Sequence, residues 1–166
     1  IKYYKKSNLQ TDYDFLFETP GPGCSFVMTM SFATKVKELL KQNPLLLNFR
    51  FHDWLIYAIA RSHQLRWYID DSPNLFYRQH KDNFIGSNTS LYGFYFRFSQ
   101  ILDGTWPENI WFLYENLFKK YGKNLKLTKN NFFLYFLFRF WKSRRQLSHK
   151  ILMLLFLFMM SLRRDN

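Results

Sequence analysis

Residues 151–162 read Ile-Leu-Met-Leu-Leu-Phe-Leu-Phe-Met-Met-Ser-Leu without a charge, and residues 132–141 carry Arg139 as their only one. A helix apolar on every side must be buried in protein or lie in lipid. Twelve residues at 1.5 Å each span about 18 Å, against roughly 30 Å of bilayer hydrocarbon, so the run is too short to cross. Arg144, Arg145 and Lys150 precede it and Arg163 and Arg164 follow it. Two readings result: a helix in the membrane interface with its cations on anionic headgroups, or a core helix with a solvated basic fringe. We favour a peripheral membrane contact through these basic C-terminal helices.

The net charge belongs to the same region. Residues 1–116 hold 12 basic and 11 acidic side chains, whereas residues 117–166 hold 12 basic ones and Asp165 alone as an acid. Such asymmetry points to an anionic partner, either a membrane surface or nucleic acid. The tail aromatics form contiguous apolar runs and no RNA-module signature is present, so no nucleic acid is expected. Aromatic residues make up 22% of the chain, which excludes an acidic disordered tail. A lone cysteine, Cys24, excludes an internal disulfide, fits a reducing compartment and reads as a small buried residue. The 166 residues suffice for one domain. With Ile1 first and no leader pattern, the chain is expected to be a piece of a longer one.

Local signals divide the chain into a mixed α/β half and a helical half. Thr19-Pro20-Gly21-Pro22-Gly23 is a turn or loop. A strand is expected over 25–29, then a helix capped by Ser31, bearing Val36, Leu39 and Leu40 on one side and stopped by Pro44. Asp53 opens a second helix that runs to about Ser62. Strands are expected over 65–69 and 75–78, around the turn formers of residues 70–74. Beyond them Leu91, Phe94, Tyr95, Phe98, Ile101 and Leu102 recur at helical spacing until Gly104. Pro107 suits the first turn of the next helix, which Gly122 closes. Thr128 and Ser148 can cap two more. The expected units are residues 1–88 and a basic, aromatic-rich helical region, 89–166.

Four segments carry chemistry in this order: Gly21-Pro22-Gly23-Cys24-Ser25-Phe26, His52-Asp53-Trp54, Trp67-Tyr68-Ile69-Asp70, and Tyr77-Arg78-Gln79-His80-Lys81-Asp82-Asn83-Phe84-Ile85-Gly86. Over about residues 14–90 they resemble the C-terminal half of family 2 glycosyltransferases with the GT-A fold, above all bacterial rhamnosyltransferase-like enzymes of surface polysaccharide synthesis. The resemblance implies an α/β fold, the C-terminal portion of a GT-A domain, followed by an α-helical tail. It implies a catalytic base at Asp53, acceptor and donor-sugar contacts at Gly21 and Gly23, and a metal ligand at His80, and His52, Trp54, Arg78 and Gln79 are further candidate substrate contacts. It further implies a nucleotide-sugar donor, a glycan or lipid-linked acceptor, and a divalent ion, Mn2+ or Mg2+. The nucleotide-binding half and its Asp-x-Asp motif have no counterpart here. Asp12-Tyr13-Asp14 matches the letters but lies too close to Gly21 to serve, and the piece alone is expected to be inactive.

The residues themselves allow more than one role. A carboxylate beside an acceptor hydroxyl, opposite the leaving nucleoside diphosphate, can take the proton in an inverting transfer. A helix start would keep Asp53 anionic, and a plain N-cap is the alternative. His80 suits a divalent ion but is equally an exposed loop histidine. Arg78 can pair with diphosphate oxygens or with Asp70 or Asp71, and Trp54 can wall a sugar site or fill the core. As an enzyme part the chain would work in the cytoplasm, peripherally at the inner face of the plasma membrane. The other class is a non-catalytic basic module for membrane or nucleic acid.

Overall fold

The computed structural model describes residues 5–72, 99–122 and 125–162, and every regular element among them is helical. The single turn α1 (Asp14–Phe17) precedes the glycine-containing loop and a 3-10 turn, Gly23–Ser25. Helix α2 (Met30–Gln42) starts at Thr29, whose Oγ1 accepts the Phe32 N–H at 3.3 Å. Ser31, the expected cap, lies inside the first turn. Asn43 ends α2, and Pro44, which cannot continue its hydrogen bonds, opens the 3-10 turn Pro44–Asn48. Helix α3 (His52–Ser62) follows.

Glycine punctuates the second half as its conformational freedom predicts. Gly104 has φ +86°, a left-handed conformation that ends the turn over residues 99–102 and admits α4 (Thr105–Leu113), with Pro107 in its first turn. The helix widens to a π turn over Tyr114–Phe118, where Asn116 Nδ2 donates to the Phe112 carbonyl at 3.0 Å, and runs out through α5 (Lys119–Tyr121) to Gly122. Thr128 fixes the start of α6 (Lys129–Leu137): its N–H donates to Asn131 Oδ1 at 2.9 Å. Helix α7 (Leu147–Leu162) begins one residue ahead of Ser148.

Residues from both halves bury one aromatic core. Phe15, Leu16 and Phe17 of α1 are sealed beneath Tyr57 and Ile59 of α3, Leu113 and Leu117, and Phe132 and Phe136 of α6. The rings meet edge-on or tilted, with Phe17–Phe136 centroids 5.0 Å and Tyr114–Phe132 centroids 4.9 Å apart, the arrangement that ring quadrupoles favour.

The expected strands over 25–29 and 65–69 are not formed; those residues run as a 3-10 turn and irregular chain. Val27 is 99% and Tyr68 83% exposed. A strand persists only where a neighbour takes up its N–H and C=O groups, and among the described residues no strand offers that edge. The α/β expectation is therefore corrected to helices and loops for the described residues. The third strand, over 75–78, and the boundary between the expected units lie outside them.

Candidate functional site

The loop Thr19–Pro20–Gly21–Pro22–Gly23 is the scaffold of the site. Its two prolines have no N–H, so the loop is held mainly through its carbonyls. Thr19 O accepts from Arg145 Nη2 at 2.7 Å, Gly21 O from Thr19 Oγ1 at 3.0 Å, and Pro22 O from Ser25 N and Oγ at 3.0 and 2.7 Å. So fixed, the loop lies on the first turn of α3. A Cβ on Gly23 would stand 2.7 Å from His52 Nε2 and 3.4 Å from Asp53 Cβ, so any larger residue there would push the exposed His52 ring aside.

The structure thus brings Gly23, His52 and Asp53 together, with Gly21 buried in the same loop. His52 is exposed and Asp53 half-buried. Asp53 is not the cap of α3: Phe51 holds that position without a side-chain bond, and Asp53 Oδ1 accepts the N–H of Trp54 at 2.9 Å. A carboxylate in the first turn still gains from the helix dipole. Trp54 turns inward, its Nε1 donating to Phe15 O at 2.8 Å and its ring packed 5.7 Å from Phe49. Arg78, Gln79 and His80 lie outside the described residues. Cys24, expected to be buried, is exposed because it rides on the Gly23–Ser25 turn.

Beneath the loop lies an ionic cluster that the sequence does not announce. Asp14 is fully buried; its Oδ2 accepts from the Tyr57 hydroxyl at 2.7 Å, and its oxygens stand 3.2 Å from Arg61 Nη1 and 3.4 Å from Arg145 Nε. Glu18 receives the backbone N–H of Arg145 at 2.7 Å, and its oxygens lie 3.2 Å from Arg145 Nε and 3.7 Å from Arg144 Nη1. Burial alone would raise the Glu18 pKa, yet Arg144 and Arg145 hold it below the ordinary carboxylate value. Asp14 is raised, because burial outweighs Arg61, Tyr57 and Arg145. Tyr57 is raised by burial and by the Asp14 charge. Arg145 is therefore no headgroup-facing cation: its side chain is 2% exposed. The available signal was the carboxylate pair at positions 14 and 18, one helical turn apart beside a buried aromatic run.

A curated relative, the dTDP-rhamnosyl transferase RfbG of Shigella flexneri, is 31% identical over 163 residues, covering 92% of this chain and 53% of that protein. The chain thus spans about half the length of the relative it matches, and is similar to part of a rhamnosyltransferase-like enzyme, as its four motif segments imply. Since 92% of the chain aligns, the similarity extends beyond residues 14–90 into the helical region. No family model matches the chain. No solved structure matches it either.

Proposed function

We propose that the chain is the acceptor-side part of a glycosyltransferase that moves rhamnose or a related sugar from a nucleoside-diphosphate donor to a glycan or lipid-linked acceptor in surface polysaccharide synthesis. The similarity to a rhamnosyl transferase supports the activity. The packing of Gly23 against His52 and Asp53 is the observation that carries the site. The acceptor oxygen forms its bond to the anomeric carbon while the carbon–oxygen bond to the diphosphate breaks on the opposite face, inverting the centre. The nucleoside diphosphate leaves with that bond's electron pair, and the Asp53 carboxylate accepts the hydroxyl proton. His52 and the loop border the space in which the acceptor would sit.

A divalent ion, when bound, would neutralise the departing diphosphate. Its proposed ligands are His80 of this chain and an Asp-x-Asp motif of a nucleotide-binding half with the GT-A fold. Among the described residues no three His, Cys, Asp or Glu side chains converge on a common point, so the described residues are assigned only positioning and proton transfer. The enzyme would act in the cytoplasm at the inner face of the membrane. Among the described residues no helix is long and apolar enough to cross one.

The test supplies dTDP-rhamnose and a lipid-linked glycan to the full-length protein that carries this chain. Rhamnosylated acceptor with an inverted anomeric centre, read by mass spectrometry and NMR, is expected. No release of dTDP above the acceptor-free background would overturn the reading.

A further inference from the structure

Helix α7 turns its most continuous apolar ridge outward. Leu147, Ile151, Leu155, Phe158 and Leu162 follow one another at four, four, three and four residues, which aligns them on one face. They are 58, 57, 58, 52 and 68% exposed, while Met153, Phe156 and Leu157 on the opposite side are buried. A helix that merely closed a core would show water its polar face. At 1.5 Å per residue the ridge is about 22 Å long, and Phe138 and Trp141, 78% and 55% exposed, add to the apolar surface just before the helix.

The surroundings of the ridge select its partner. Residues 117–162 contain no Asp or Glu. Lys142 is paired with Asp12 at 2.9 Å, but Lys150 Nζ lies 4.5 Å from the Trp141 ring centroid and the Arg139 guanidinium 3.9 Å from that of Tyr135. An indole beside an ammonium, next to an aliphatic ridge too short to span, suits the boundary between anionic headgroups and acyl chains.

We propose that α7 docks along Leu147, Ile151, Leu155, Phe158 and Leu162 on an anionic lipid surface, lying flat with Trp141 and Lys150 at headgroup level. This deepens the membrane contact of the proposed function, yet it is tested without sugar transfer, so either can fail alone.

The full-length protein that carries this chain is sedimented with vesicles of phosphatidylcholine alone or containing about a quarter phosphatidylglycerol, across roughly 0.05–0.5 M salt. Binding at least about tenfold tighter to the anionic vesicles, weakening with salt, is expected. The double variant Ile151→Ser, Leu155→Ser should lose about tenfold or more of that binding. Its melting temperature should hold, since both positions are exposed. Lys150→Gln, which leaves the ridge intact, should lose roughly fivefold. Absent binding, equal binding to both vesicles, or a double variant that binds as well as the parent would overturn the proposal. So would self-association through the ridge, seen as a double variant that turns monomeric while its vesicle binding is unchanged.

Discussion

Arg145 Nη2 donates a 2.7 Å hydrogen bond to the carbonyl oxygen of Thr19, where the glycine loop begins. The same guanidinium lies between the buried carboxylate of Asp14 and the half-buried one of Glu18, so one side chain from the basic tail both neutralises the floor of the site and holds its loop. The loop in turn rests on His52 and Asp53. The C-terminal region is thereby part of the foundation of the candidate site.

Replacing Arg145 with Met should leave the buried Asp14 and the half-buried Glu18 short of their shared cation and cost about 3–5 kcal/mol in urea unfolding. Arg145→Lys keeps a charge but not the planar fork, so it should recover only part of the loss. In both variants the exposed thiol of Cys24, two residues beyond Pro22, should alkylate at a changed rate as the loop loosens. A loss below about 1 kcal/mol, the range of surface ion pairs, would contradict the buried role.

Acid stability should bear the mark of Glu18. Burial raises its pKa, but Arg144 and Arg145 more than offset this, and the folded value sits below the ordinary one near 4.5. Its stabilisation is therefore fully present above the unfolded value and is lost as pH falls through the lowered folded value. Asp14 has the opposite sign: its raised pKa means folding is disfavoured as pH rises through it. Glu18→Gln should lower the urea midpoint at neutral pH and flatten its fall between about pH 5 and pH 3. Parallel profiles for parent and variant would contradict the assignment.

The two sides of α7 should respond differently to truncation. Phe156→Ala or Leu157→Ala, at buried positions, should cost about 2–5 kcal/mol through lost burial and a residual cavity. Leu155→Ala, on the exposed ridge, should stay within about 0.5 kcal/mol. Thermal unfolding of the three variants checks the helix orientation, and equal losses would contradict it.

The helix boundaries were legible wherever local chemistry alone decides them. Gly104 acts through its left-handed backbone, Pro107 through its missing N–H, Gly122 through the absence of a Cβ that would meet Phe118, and Thr128 through its bond with Asn131, and each marks a helix end seen in the fold. Ser31 failed as a cap because Thr29, an equally good hydroxyl two residues earlier, takes the bond. The strands over 25–29 and 65–69 failed because a ladder needs a neighbour that no local pattern supplies. Arg145 departs from its expected solvation for a similar reason: a basic residue beside an apolar run is solvated unless a distant carboxylate claims it, and Glu18, 127 positions away, does so. The meeting of Gly23 with His52 and Asp53 was carried by the order of the motifs, whereas Arg78, Gln79 and His80 lie outside the described residues.

Asp53→Asn in the full-length protein tests most directly whether Asp53 accepts the proton of the acceptor hydroxyl. The amide keeps the shape and can still accept the Trp54 N–H bond, but it cannot take the proton. Rhamnosyl transfer from dTDP-rhamnose should fall about 10²–10⁴-fold in kcat, with the donor KM changed little and the melting temperature held. Near-normal turnover with a lowered melting temperature would contradict that role and make Asp53 a structural residue of the first turn of α3.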